Sequence, residues 1–141
     1  MTADRKRLLR LQRLEKVRAI ARQAAAAEAA RAESTLSRLE ALADRTRLLA
    51  EGYGRRTEAA DGHALQQLNR FAGGLQGIAA STRSDADRAR SHADARMADL
   101  GMAERRRAAV EERAQHHARA MGKAAEHPIL GSRRGIGTTL D

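Results

Sequence analysis

The chain has no cysteine. Disulfides and thiolate chemistry are therefore excluded, and a cytoplasmic setting is expected. Tryptophan is also absent, and the only aromatic residues are Tyr53 and Phe71. A compact core draws much of its buried area from aromatics and large aliphatics. A 141-residue chain nearly without aromatics does not read as a globular domain. The single proline, Pro128, leaves everything before it free of a proline helix breaker. No apolar run approaches the about 18 residues that a membrane-spanning helix needs. The opening, MTADRKRLLRLQRLEKV, is charged from its fourth residue and does not resemble a secretory signal peptide.

What the chain does have is alanine and charge. Hydrophobic residues make up 42%, mostly alanine, and charged residues 32%, a composition that with helical periodicity marks a long helix or coiled coil. The net charge of +9 is unevenly spread. Residues 1–23 carry eight Lys/Arg against two Asp/Glu, residues 24–95 ten against ten, and residues 96–141 nine against six. The basic excess therefore sits toward the two ends of the sequence.

Steps of three and four from Leu65 give a seam: Leu65, Leu68, Ala72, Leu75, Ala79, Thr82, Ala86, Ala89, Ala93, Arg96, Leu100, Ala103, Arg107, Val110, Ala114, His117, Met121, Ala124. Fourteen of the 18 rungs are apolar, which argues for a coiled coil. An earlier ladder runs from Leu8 through Leu11, Ala25, Ala29, Ala32, Leu36, Leu39, Ala43 and Thr46 to Ala50 and Tyr53. It fails at Glu15, Arg18 and Arg22, where Leu14, Val17 and Ala21 lie one position earlier. That offset predicts a local stutter, with the seam drifting around the helix.

Between the ladders, EGYGRRTEAADGH holds Gly52, Gly54 and Gly62 and reads as a turn, with Asp61 or Thr57 as helix cap. The predicted fold is all-α, a long two-helix antiparallel coiled-coil hairpin over residues 1–127. Helix one spans about 4–51, the turn about 52–63, helix two about 64–126, and 128–141 form a flexible tail. Folding near residue 58 pairs residues whose numbers sum to about 116. Leu36, Leu39 and Leu42 then face Leu75 and Ile78, the alanine run 24–30 faces Ala86, Ala89 and Ala93, and Leu8 and Leu11 approach Val110. A monomer is expected.

No catalytic constellation is visible. No two of the five histidines are spaced i, i+4, and Glu112 with His116 reads as a surface pair rather than a metal site. GSRRGIGTT lacks the Gly-Lys-Ser/Thr ending of a phosphate loop. A hairpin offers no concave substrate pocket. The expectation is a non-enzyme without cofactor or metal. The basic end, with Arg5, Arg7, Arg10, Arg13, Arg105, Arg106 and Arg107, admits three readings. It is a solvated face, a docking surface for an acidic protein, or a site for nucleic acid or anionic lipid. No aromatics are interleaved there for base stacking.

The segments RLLRLQRLEKVRAIARQAAAAEAA, LSRLEALADRTRLLAEGYGRR, LQQLNRFAGGLQGIAAS and AERRRAAVEERA together resemble the flagellar FliJ family and its injectisome counterparts, the YscO-like proteins. The resemblance spans residue 4 to about 125. It implies a soluble, non-enzymatic part of the flagellar type III export apparatus, cytoplasmic and peripheral to the inner membrane. In that family a stalk-like hairpin inserts its terminal helices into a hexameric export ATPase. It meets the cytoplasmic domain of the export gate through its side near the bend, and it handles export chaperones. Carried onto this chain, the basic end is the ATPase-docking surface, and Leu49, Tyr53, Phe71, Leu75 and Ile78 are the gate contact. Neither nucleic-acid binding nor membrane insertion is implied. The alternative is a basic coiled-coil scaffold for nucleic acid or the ribosome. Gly73, Gly74 and Gly77 fall at outward heptad positions, where they act as a hinge, bare the backbone for a partner, or reflect compositional drift.

Overall fold

The structure, a computed structural model, describes residues 2–56 and 61–133, with side chains to Glu126. Two α-helices run antiparallel as a hairpin: α1, Ala3–Gly54, and α2, Gly62–Arg133. Thr2 opens α1. Its hydroxyl accepts a bond from the Arg5 amide at 3.4 Å, and its carbonyl accepts one from the Lys6 amide at 3.2 Å. Asp61 caps α2, its Oδ1 accepting from the Ala64 amide at 2.8 Å, so one of the first unpaired helix donors is satisfied by a side chain. The other cap candidate, Thr57, lies outside the described residues.

Helix α1 passes Gly52 and ends at Gly54. Glycine lowers helix propensity without blocking the backbone bonds, so Gly52 does not terminate it. Helix α2 also continues beyond Pro128 to Arg133. Proline removes one backbone donor and its ring crowds the carbonyl four residues back, yet α2 runs through it without a break. The flexible tail expected from residue 128 thus begins with helical residues, and 134–141 lie outside the described region.

The hairpin comprises two compact units, Ala25–Leu100 and Met1–Ala24 with Gly101–Asp141. The first contains the bend. Its seam buries Ala29, Ala32, Leu36, Ala43, Thr46 and Ala50 from α1 against Ala72, Thr82, Ala86 and Ala93 from α2. Every one is a rung of the two ladders. Ala32, Leu36 and Ala93 form a buried cluster with Ala89 packed against it. The two threonines keep their buried hydroxyls satisfied by bonding back one turn, Thr46 to the Leu42 carbonyl and Thr82 to the Ile78 carbonyl, both at 2.7 Å.

These contacts correct the expected register. Leu36 packs by Ala89, not by Leu75 and Ile78, and Tyr53 meets Phe71. Paired residue numbers sum to about 124 rather than 116, a shift of about eight residues, or about 12 Å along the axis. The alanine run 24–30 is correspondingly level with residues near 94–100. The cause is at the bend. Tyr53 lies one residue from the end of α1, whereas Phe71 lies nine residues beyond the start of α2. The first two turns of α2 therefore overhang α1, and the midpoint of the turn is not the midpoint of the pairing.

Among the described residues of the second unit, only Val110 and Ala114 are buried. Leu8 and Leu11 are half-buried, and Leu11 lines a groove with Arg7, Arg113, His116 and His117. The predicted stutter does not occur. Glu15, Arg18 and Arg22 keep their seam positions and are half-buried, while Leu14 and Val17 stand 38% and 59% exposed. Continuing the periodic seam retains pairing above and below this stretch, and the long aliphatic stems of arginine can pack there with their heads turned outward. The Arg22 guanidinium meets Glu104 at 3.7 Å, and His117 Nε2 lies 2.9 Å from the Asp4 carbonyl oxygen.

Candidate functional site

With Leu8 and Leu65 as heptad position a, the seam is a and d, and the two flanks of an antiparallel pair are formed by e residues on one side and g residues on the other. In the unit containing the bend these flanks differ sharply. The e flank carries Glu33, Glu40 and Arg47 from α1 and Gln76, Arg83, Arg90 and Met97 from α2, and Arg90 bonds Glu40 across the pair. Toward the bend the g flank carries Leu42, Leu49, Phe71 and Ile78, which are 47–56% exposed, and farther from it Glu28, Thr35, Asp85 and His92. Four large apolar side chains on one flank, each with about half its surface in water, form a patch of the kind associated with partner binding.

The aromatic pair anchors this patch. Tyr53 and Phe71 meet edge to face, with ring centroids 4.8 Å apart and planes at 83°, an arrangement worth about 0.5–1.5 kcal/mol beyond burial. The Arg56 guanidinium lies 4.4 Å from the Tyr53 centroid and engages its face by a cation–π contact. Tyr53 is thus largely committed within the hairpin, while Phe71 closes the seam with one edge and offers the rest outward. Leu75, expected at the surface contact, is a half-buried seam residue. Leu42, which the expected register turned inward, joins the patch instead. Its g position was the available signal, obscured by the register error.

The three glycines beside Phe71 sit in open space. A Cβ placed on Gly73, Gly74 or Gly77 meets nothing within 4 Å. No packing within the hairpin requires them, and α2 passes through them as continuous helix. Gly74, at c, borders the g flank and leaves backbone accessible next to Phe71 and Ile78.

The basic residues divide differently from expectation. Arg5, Arg7, Arg10 and Arg13 are exposed, as are Arg105 and Arg106. The corrected register sets Arg105–Arg107 level with residues 17–19, two to three turns from Arg5–Arg13. Arg113 takes their place, lining the groove with Arg7 and Leu11. Arg107 belongs to the seam. Its Nε and that of Arg18, on the facing helix at the same level, are both buried without a hydrogen-bond partner. Two guanidinium stems thus occupy seam positions, as does Arg96, whose Nε is likewise buried without a partner.

Among the described residues, no group of three or more His, Cys, Asp or Glu side chains could hold a metal ion, and no helix is long and apolar enough to cross a membrane. At exposed Glu28, a hydrogen bond from Arg31, reinforced by its charge, lowers the carboxyl pKa below the ordinary 4.5. This is a surface ion pair between neighbouring helical turns. Compared with protein-family models, curated proteins and solved structures, the chain matches none.

Proposed function

We propose that this chain is a non-enzymatic adaptor of a flagellar type III export apparatus, a hairpin that links a hexameric export ATPase to the cytoplasmic domain of the export gate and handles export chaperones. The observation that carries this reading is the asymmetry of the unit containing the bend. One flank is closed by the Arg90–Glu40 ion pair, while the other exposes Leu42, Leu49, Phe71 and Ile78. A hairpin serving only as a spacer has no use for an apolar flank. Phe71 and its aliphatic neighbours suit a protein partner, because aromatic anchors ringed by apolar contacts dominate protein interfaces. The unit holding the chain's first residues supplies a second surface of different character, Arg5, Arg7, Arg10 and Arg13, suited to an acidic ATPase surface through steering and rim pairing. The protein would then be cytoplasmic and held at the inner membrane through its partners.

The test is a pull-down of the full chain with the ATPase and with the gate's cytoplasmic domain from the same genome. Phe71→Ala with Ile78→Ala should remove gate binding and spare ATPase binding. Reversing Arg5, Arg7, Arg10 and Arg13 to glutamate should do the opposite. Failure to bind either partner, together with salt-sensitive binding of nucleic acid, would instead support the basic-scaffold alternative.

A further inference from the structure

Over residues 14–24, α1 is amphipathic in the wrong sense for its hairpin. The seam positions hold Glu15, Arg18 and Arg22, all half-buried. The outward c, f and g positions hold Leu14, Val17, Ile20, Ala21 and Ala24, with Leu14 38%, Val17 59% and Ile20 67% exposed. A helix whose only neighbour was α2 would lower its free energy by the reverse placement, apolar inward and charged outward. The spacing of 14, 17, 21 and 24 is that of a second helix-packing stripe. On the same outward positions, the preceding turns carry Lys6, Arg7, Arg10 and Arg13. Among the described residues none of these four cations forms an ion pair, so each is available to a carboxylate from outside.

We propose that this outer face of α1 docks an acidic amphipathic helix of another protein, with aliphatic side chains seated on Leu14, Val17, Ile20, Ala21 and Ala24 and carboxylates meeting Lys6, Arg7, Arg10 and Arg13. Ala21 and Ala24 leave room for large side chains from the partner, as small residues do where helices approach closely. The charge selects against a second copy. In parallel pairing, the four cations would face themselves. In antiparallel pairing, they would face the alanine end of the stripe and find no carboxylates. A membrane surface would be met by larger apolar residues and interfacial aromatics, and this unit has no aromatic among its described residues. The inference shares Arg7, Arg10 and Arg13 with the surface assigned above to the ATPase, but it does not depend on the export reading, because its occupant is defined by chemistry alone.

The probe is a three-heptad synthetic peptide with leucines on one helical face and glutamates elsewhere, titrated against the full chain at physiological ionic strength and compared with a scrambled peptide of the same composition. The patterned peptide should bind and the scrambled one should not. Val17→Ser with Ile20→Ser should weaken binding by at least about tenfold, as loss of a central apolar anchor does, with helicity by circular dichroism unchanged because both side chains are exposed. Arg10→Glu with Arg13→Glu should weaken binding and flatten its salt dependence. The proposal is overturned if the scrambled peptide binds equally, if the serine variant binds undiminished, or if neither peptide binds at millimolar concentration. It is equally overturned if sedimentation shows a dimer that the serine variant abolishes, or if the chain floats with phosphatidylglycerol vesicles through Val17 and Ile20.

Discussion

Replacing Arg18 and Arg107 together by leucine should stabilise the unit formed by the two distal helix segments, a counterintuitive result for removing two charges from a helical surface. Each Nε is buried and unpartnered, and relieving one such donor is worth about 1–3 kcal/mol. Each leucine, placed at a half-buried seam position, adds about half of the roughly 1.5–3 kcal/mol that full burial provides. Lost arginine stem packing offsets part of this gain. A net gain of about 2–4 kcal/mol is expected for the pair. Because either single change already relieves any repulsion between two like charges at one level of the seam, the double variant should gain more than either single change but less than their sum. Amide hydrogen exchange read by mass spectrometry resolves the effect locally. Protection over residues 5–22 and 103–117 should rise at least about 30-fold, the equivalent of about 2 kcal/mol. Residues 29–50, in the other unit, should change little. Unchanged or faster exchange over 5–22 would refute the reasoning and show that the arginines are better accommodated than their burial indicates.

Converting Gly73, Gly74 and Gly77 to alanine meets no steric obstacle and should raise helix stability by up to roughly 3 kcal/mol, about 1 kcal/mol per glycine. Thermal unfolding measures the gain, and a fall in motility despite it would assign the bare backbone to a partner. Because the chain lacks cysteine, its register can be read by paired substitution: Leu36→Cys with Ala89→Cys should be bridged by a short bifunctional maleimide, and Leu36→Cys with Ala80→Cys should not. In an NMR titration, the Glu28 carboxyl should remain ionised below 4.5, and Arg31→Ala should return it to that ordinary value. Since the folded pKa is lowered, the contribution of this pair is present above the unfolded value and fades as the pH falls through the folded one.

The two-helix architecture was readable because the ladder from Leu65 keeps its spacing through the whole of α2, and its buried rungs, from Ala72 to Ala114, are those the spacing names. The cap was readable only as one of two short side-chain acceptors, Asp61 or Thr57, and Asp61 accepts from the Ala64 amide. Register was not. An alanine seam slides with little energetic penalty, because Ala89 facing Leu36 differs little from Ala86 facing it, and the pairing is set by Tyr53 meeting Phe71 across a bend whose overhang no periodicity encodes. The same uncertainty hid Leu42 from the candidate contact and placed Arg105–Arg107 beside Arg5–Arg13. At Glu15, Arg18 and Arg22, hydrophobicity pointed to a drifting seam. The helix instead keeps its phase and turns Leu14 and Val17 outward.

The most direct test of the functional account is site-specific photo-crosslinking in cells, with the photoreactive residue placed on one flank or the other of the unit containing the bend. A probe at Ile78 or Leu42 should capture the export-gate cytoplasmic domain, and a probe at Arg83 or Arg90, on the polar flank, should not. Equal capture from both flanks, or capture of ribosomal components from the apolar flank in place of the gate, would contradict it.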